Sequence, residues 1–98
     1  MLFSVKVTDY QKNLMINICD LDLLGKTIVQ DELKINISKS YYGKKIIELD
    51  EATTLLKHAS IINMVGKDSI SLSIKLGIGS ENGVKTVGGI PFLIIFNI

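Results

Sequence analysis

DSISLSIKLGIG, residues 68–79, reads two ways. Ile70, Leu72, Ile74 and Leu76 alternate with Ser69, Ser71, Ser73 and Lys75, the period-two pattern of a half-buried strand. Yet Asp68 is of the N-cap type, and Gly77 stands where a left-handed residue would end a helix. Wound as a helix, the stretch puts Ile70 and Ile74 on one side and Leu72 and Leu76 nearly opposite. Such a helix needs a sheet on one side and a second partner on the other. The residues alone leave the choice open.

The neighbouring segments are plainer. Upstream, Asp50 is placed to cap a helix start and Glu51 suits its positive end, and Ala52, Leu55, Leu56 and Ala59 fall on one helical stripe. Lys57 and His58 sit near its C-terminal end, and IINMV, residues 61–65, follows as a buried strand or a helix extension. Nearer the start, LFSVKV and LMINIC alternate around the turn residues TDYQKN, which predicts a hairpin over residues 2–19. DLDLLGKT reads as a helical turn or loop, LKINIS (33–38) as a strand and SYYGKK as an exposed loop. Downstream, GSENG is a loop. VKTV and PFLIIFNI are closing strands joined by GGI, with Pro91 at a strand start where its missing donor is tolerated. The apolar run 92–96 predicts an interior strand covered on both faces. The expected fold is α/β (α+β). It is one compact domain over residues 1–98, with two or three helices packed on a mixed sheet of five to six strands.

The composition, 47% hydrophobic and 21% charged, fits one folded domain and excludes a disordered chain. A net charge of +1 steers weakly, and all eleven basic residues are lysine. Without the guanidinium fork a dedicated high-affinity nucleic-acid binder, DNA included, is not expected; weaker RNA contact through lysine and backbone stays open. The single Cys19 cannot close an internal disulfide. No charged leader segment is expected from the first residues, and IPFLIIF is well short of the ~20 residues that span a bilayer. A soluble, cytoplasmic protein is expected, with no membrane partner.

Gly25-Lys26-Thr27 matches the end of a phosphate-binding loop, but Asp20 occupies the position of the loop's first glycine, where a carboxylate would repel phosphate. Cys19, Asp20 and Asp22 are too few in soft ligands for a zinc site, and His58 is the only base available to a Cys19 nucleophile. Gly77, Gly79 and Gly83 miss the dinucleotide fingerprint by one place. In KSYYGKK, Tyr41 and Tyr42 are flanked by Lys39, Lys44 and Lys45, with Gly43 allowing close backbone approach; such a group can stack bases and neutralise phosphates. The plainer alternative packs one tyrosine on the core and leaves the lysines as a solvated rim. Gly88 and Gly89 could offer amides to an anion or simply make a tight connection between strands.

CDLDLLGK, SYYG, INMVGK and VGGIPF, in this order, resemble a family of small archaeal proteins known as "domain of unknown function 424". The family-like positions are Cys19, Asp20, Leu24, Gly25, Lys26, Tyr42, Gly43, Asn63, Gly66, Gly88, Gly89 and Pro91. The resemblance implies an archaeal cytoplasmic protein without an established activity, a connection to translation or RNA, and a helix over 68–76. It also implies a histidine after the proline in many relatives; Phe92 stands there here, which argues against histidine chemistry at that position.

The leading expectation is therefore a non-enzymatic binding domain contacting RNA or a translation-associated surface. Its surface would comprise Lys26, Tyr41, Tyr42, Gly43, Lys44, Lys45, Gly88 and Gly89, with no cofactor and no metal. A second expectation is an interaction module acting as a homodimer or accessory subunit through Leu72, Leu76 and the apolar C-terminal strand. A third is a small enzyme with a pocket at Cys19 and Asp20.

Overall fold

Gly77 decides the ambiguous stretch. In the computed structural model, which describes residues 1–97, Lys67–Lys75 is a helix, and Gly77 follows it in the left-handed region at φ +77°. The amides of Gly77 and Ile78 donate to the carbonyls of Ile74 and Ser73, both at 2.9 Å, closing the helix end as a Schellman motif. Of the three serines that looked like the wet side of a strand, Ser71 is exposed and the other two are not. Ser69 and Ser73 are fully buried, with Ser73 Oγ donating to the Ile78 carbonyl.

The chain runs β1 (Leu2–Tyr10), β2 (Asn13–Asp20), a 3-10 turn, β3 (Thr27–Gln30), β4 (Leu33–Asn36), α1 (Lys39–Tyr42), β5 (Lys45–Glu48), α2 (Leu49–His58), β6 (Ile61–Val65), α3 (Lys67–Lys75), a second 3-10 turn, β7 (Lys85–Val87) and β8 (Ile90–Phe96). Six strands form one mixed sheet in the order β5-β1-β2-β6-β8-β7, while β3 and β4 form a separate hairpin. Among the described residues only β2 and β6 pair in parallel, joined through the long crossover that carries the hairpin, α1, β5 and α2. The expected α+β domain with a mixed sheet and three helices is what forms, with the hairpin as an addition.

α2 and α3 pack on one face of the sheet, burying Phe3, Val5, Ile16, Ile18, Ile62 and Met64 in an apolar core. α3 meets both the sheet and α2, the two partners its two stripes require. On the other face a second cluster of Cys19, Leu23, Ile28, Ile37, Tyr42 and Val65 sits beneath α1 and the β3–β4 hairpin.

Four readings need correction. SYYGKK is not an exposed loop: Ser38 caps a helical turn by accepting from the Tyr41 amide at 3.2 Å, and Tyr42 is buried beneath it. Thr27, read as the end of a turn or loop, and residues 28–30, unassigned from the sequence, pair with 33–36 as a hairpin. Helix α2 starts one residue before Asp50, which lies in its first turn instead of capping it. The final strand is not covered on both faces. Leu93 is buried, but Ile94 and Phe96 on the opposite face are 59% and 70% exposed.

Candidate functional site

Directly paired residues in a sheet share a face, so the register draws the surface of the half-covered side. Lys6 on β1 lies opposite Asn17 on β2, Asn17 opposite Asn63 on β6, and Asn63 opposite Ile94 on β8. The next row out is Thr8, Met15, Ile61 and Phe96. At the β8 end of the two rows, Ile94 in the first and Phe96 in the second stand exposed on the sheet surface.

α1 is one turn long, far too short to persist by helix propensity. Side chains of the sheet hold it in place. Lys6 Nζ donates to the Ser40 carbonyl at 3.2 Å, Asn17 Nδ2 to the Tyr41 carbonyl at 3.0 Å and Ser4 Oγ to the Tyr42 carbonyl at 3.0 Å. The carbonyls that a helix end leaves orphaned thus find donors in the sheet. Asn63 Nδ2 donates to Asn17 Oδ1 at 2.8 Å and lies 3.5 Å from the Tyr41 hydroxyl. The two tyrosine rings meet edge to face at 5.0 Å, so buried Tyr42 steadies Tyr41, which is 47% exposed. Burial pushes the Tyr42 hydroxyl up to about 12, and it stays protonated at neutral pH.

Of the residues singled out from the sequence, Lys26, Tyr41, Tyr42, Gly43 and Lys44 gather around α1. The Gly25 amide donates to the Ile37 carbonyl and the Ile37 amide to the Lys26 carbonyl, which docks that turn at the start of α1. Gly43 fits between the Leu24 side chain and the Lys39 carbonyl. Lys45, one residue along an alternating strand, turns to the helix side and pairs with Glu51, the one ion pair among the described residues. Gly88 and Gly89 lie elsewhere, as the φ-positive centre of the β7–β8 hairpin, with the Gly88 amide donating to Gln30 Oε1 at 2.8 Å. Ser4, Lys6 and Asn17 were missed. Their signal is the polar half of the alternation in LFSVKV and LMINIC, which reads from sequence as an ordinary solvated face.

Asp20 does something that its neighbourhood in sequence does not suggest. Its carboxylate reaches the N-terminus of α3, where Oδ1 accepts from the Ser69 amide and hydroxyl at 2.8 and 2.7 Å and Oδ2 from the Asp68 amide at 3.0 Å. It is the cap that Asp68 was expected to be, supplied from the end of β2 and favoured by the helix dipole. A Cβ on Gly66 would stand 2.3 Å from Asp20 Cγ, so that position has to be glycine. Asp20, Gly66, Gly89 and Pro91 of the family-like set line one cleft of about 290 Å³ beside this cap.

Cys19 is fully buried, and its thiol is pushed up to about 12, first by burial and then by the Asp20 and Asp22 carboxylates. His58 is exposed at the end of α2, with Nδ1 2.7 Å from the Thr54 carbonyl. Cys19 pairs with Val65 at one end of β6 and His58 precedes the other end, roughly 15 Å away at strand rise. They do not form a nucleophile–base pair. Among the described residues no three of His, Cys, Asp and Glu converge as metal ligands, and no helix is long and apolar enough to cross a membrane.

These features define a small α+β domain with one sealed sheet face and one partly open face, the open one carrying aromatic rings, amides and lysines. The chain belongs to the family "Protein of unknown function (DUF424)", whose model matches residues 8–98. Its fold is that of an uncharacterized conserved protein from Methanopyrus kandleri, known from a crystal structure. The two superpose with a TM-score of 0.85 at 20% identity, over 100% of this chain and 93% of the other. No curated protein matches the chain.

Proposed function

We propose that this is a non-enzymatic, cytoplasmic binding domain that takes single-stranded RNA, in translation or a related setting, across its half-open sheet face. The observation that carries the reading is the pairing of two exposed rings, Tyr41 and Phe96, on a surface edged by Lys6, Lys26, Lys39 and Lys44, none of which has a carboxylate partner among the described residues. Every base has a face to stack, and lysine neutralises phosphate without demanding a fixed geometry, so such a surface suits weak, sequence-tolerant binding. Tyr41 is presented on a turn tied to the sheet at three carbonyls, so little ordering is left for binding to impose.

Fluorescence anisotropy with a labelled single-stranded oligoribonucleotide at low ionic strength tests it. Binding should weaken as salt rises, and Tyr41→Ala should cost about 1–3 kcal/mol, the worth of one stacked base. No binding at low salt, or binding untouched by both Tyr41→Ala and Lys44→Ala, would remove the proposal.

A further inference from the structure

The register of β8 exposes more than side chains. The Asn97 amide donates to the Ser60 carbonyl and the Gly66 amide to the Pro91 carbonyl. Hydrogen-bonded pairs alternate along an antiparallel ladder, so Leu93 and Ile95 also turn their N–H and C=O groups to β6. Ile94 and Phe96 turn theirs the other way. On that side β7 pairs only with Ile90, Pro91 and Phe92, and the chain before Lys85 leaves the ladder in a 3-10 turn over Glu81–Gly83. Among the described residues the outward donors and acceptors of Ile94 and Phe96 therefore meet no strand.

Natural edges of this kind are blunted by charge, proline or a bulge. Leu93–Phe96 carries none of these, and two of its side chains are among the most exposed apolar groups in the molecule. We infer that this edge pairs with the same edge of a second copy, antiparallel about a two-fold axis through Ile95. Ile94 then faces Phe96 of the second copy, and each such pair exchanges both of its hydrogen bonds. The groups match themselves: no charge is buried, apolar side chains meet apolar ones, and a net charge of +1 per chain adds little repulsion. The edge offers neither a pocket nor a charge with which to select an unlike strand. The product is one continuous twelve-stranded sheet in which the two half-open faces stand side by side, uncovered. This inference stands apart from the RNA reading, since edge pairing needs only the backbone of β8.

Sedimentation equilibrium of the full chain from micromolar to millimolar concentration tests it, together with Ile94→Pro. Proline at 94 removes an outward donor and leaves the β6 ladder whole, whereas Ile95→Pro removes an inward one and should lower the melting temperature. The expected result is a species of twice the 10.8 kDa chain mass. Ile94→Pro should weaken association about tenfold or more through the lost donors, with its melting temperature nearly unchanged. A monomer at millimolar concentration overturns the inference, and so does a dimer of equal affinity in a folded Ile94→Pro variant. Should that variant fail to fold, hydrogen exchange on the unmodified chain decides. Protection of the Ile94 and Phe96 amides that grows with concentration supports the pairing, and fast exchange at every concentration refutes it.

Discussion

The two faces of the central sheet are built from the same strands, offset by one residue, and they differ in almost everything else. Under α2 and α3, Phe3, Val5, Ile16, Ile18, Ile62 and Met64 form a buried apolar layer. One residue along each strand, Ser4, Lys6, Asn17 and Asn63 face a one-turn helix and open solvent. The contrast separates two tasks. The sealed face supplies burial, at roughly 25 cal/mol per Å² of apolar surface, and fixes strand register, because a slip by one residue would exchange the faces. The open face spends its side chains on holding a tyrosine turn in place.

The sharpest way to break the comparison is to delete one ring from each face. Phe3→Ala empties a fully buried site and should cost about 3–5 kcal/mol, whereas Phe96→Ala removes a ring that is 70% exposed and should change stability by less than about 0.5 kcal/mol. Urea unfolding at concentrations where the chain is monomeric measures both. Comparable losses would mean that the open face also packs as core.

Next in size is the cap that joins the sheet to α3. Asp20→Ala leaves the Asp68 and Ser69 amides and the buried Ser69 hydroxyl without their acceptor, and should cost about 2 kcal/mol. A loss near zero would show that α3 is held by packing alone. Nothing local announces this cap, and it marks the limit of what the residues disclose. The β1–β2 hairpin, the stripe of α2 and the closing strands are legible because each is decided within a few residues. The family signature weights α3 towards helix, but its buried Ser69 is explained only by a strand-end carboxylate forty-nine positions away. In the same way Tyr41, Gly43 and the neighbouring lysines are visible as candidates, yet Lys45 leaves the group because alternation along β5 sends it to the other side. Asn17 and Lys6 enter only once β1 and β2 are paired beneath α1. Exposure of Ile94 and Phe96 depends on which elements stop short of β8, which periodicity does not report.

Alkali separates the faces by titration. Cys19 and Tyr42 both lie on the half-covered side, with folded pKa values raised to about 12 from ordinary values of 9.0 and 10.0. Each acid holds its proton longer folded than unfolded, so their contribution is whole below pH 9 and drains away as pH rises from 9 towards 12. The steepest loss is about 1.4 kcal/mol per pH unit for each group. Cys19→Ala should remove the earlier part of the decline and Tyr42→Phe the later part, as seen in chemical unfolding repeated between pH 8 and 11. A flat profile in the unmodified chain would mean that water reaches both groups beneath α1.

The smallest expected effect lies within the open face. Asn17 donates to the Tyr41 carbonyl and accepts from Asn63, whereas Asn63 contributes one bond to Asn17 and a long contact to the Tyr41 hydroxyl. Asn17→Ala orphans a helix-end carbonyl and should cost about 1–2 kcal/mol, while Asn63→Ala leaves that carbonyl served and should cost about 0.5 kcal/mol. The double variant should then resemble Asn17→Ala, since the bond between the two amides is already gone. Equal losses that simply add would place the anchoring of α1 in the packing of Tyr42 instead, and the amide row would be free to serve whatever lies on the sheet.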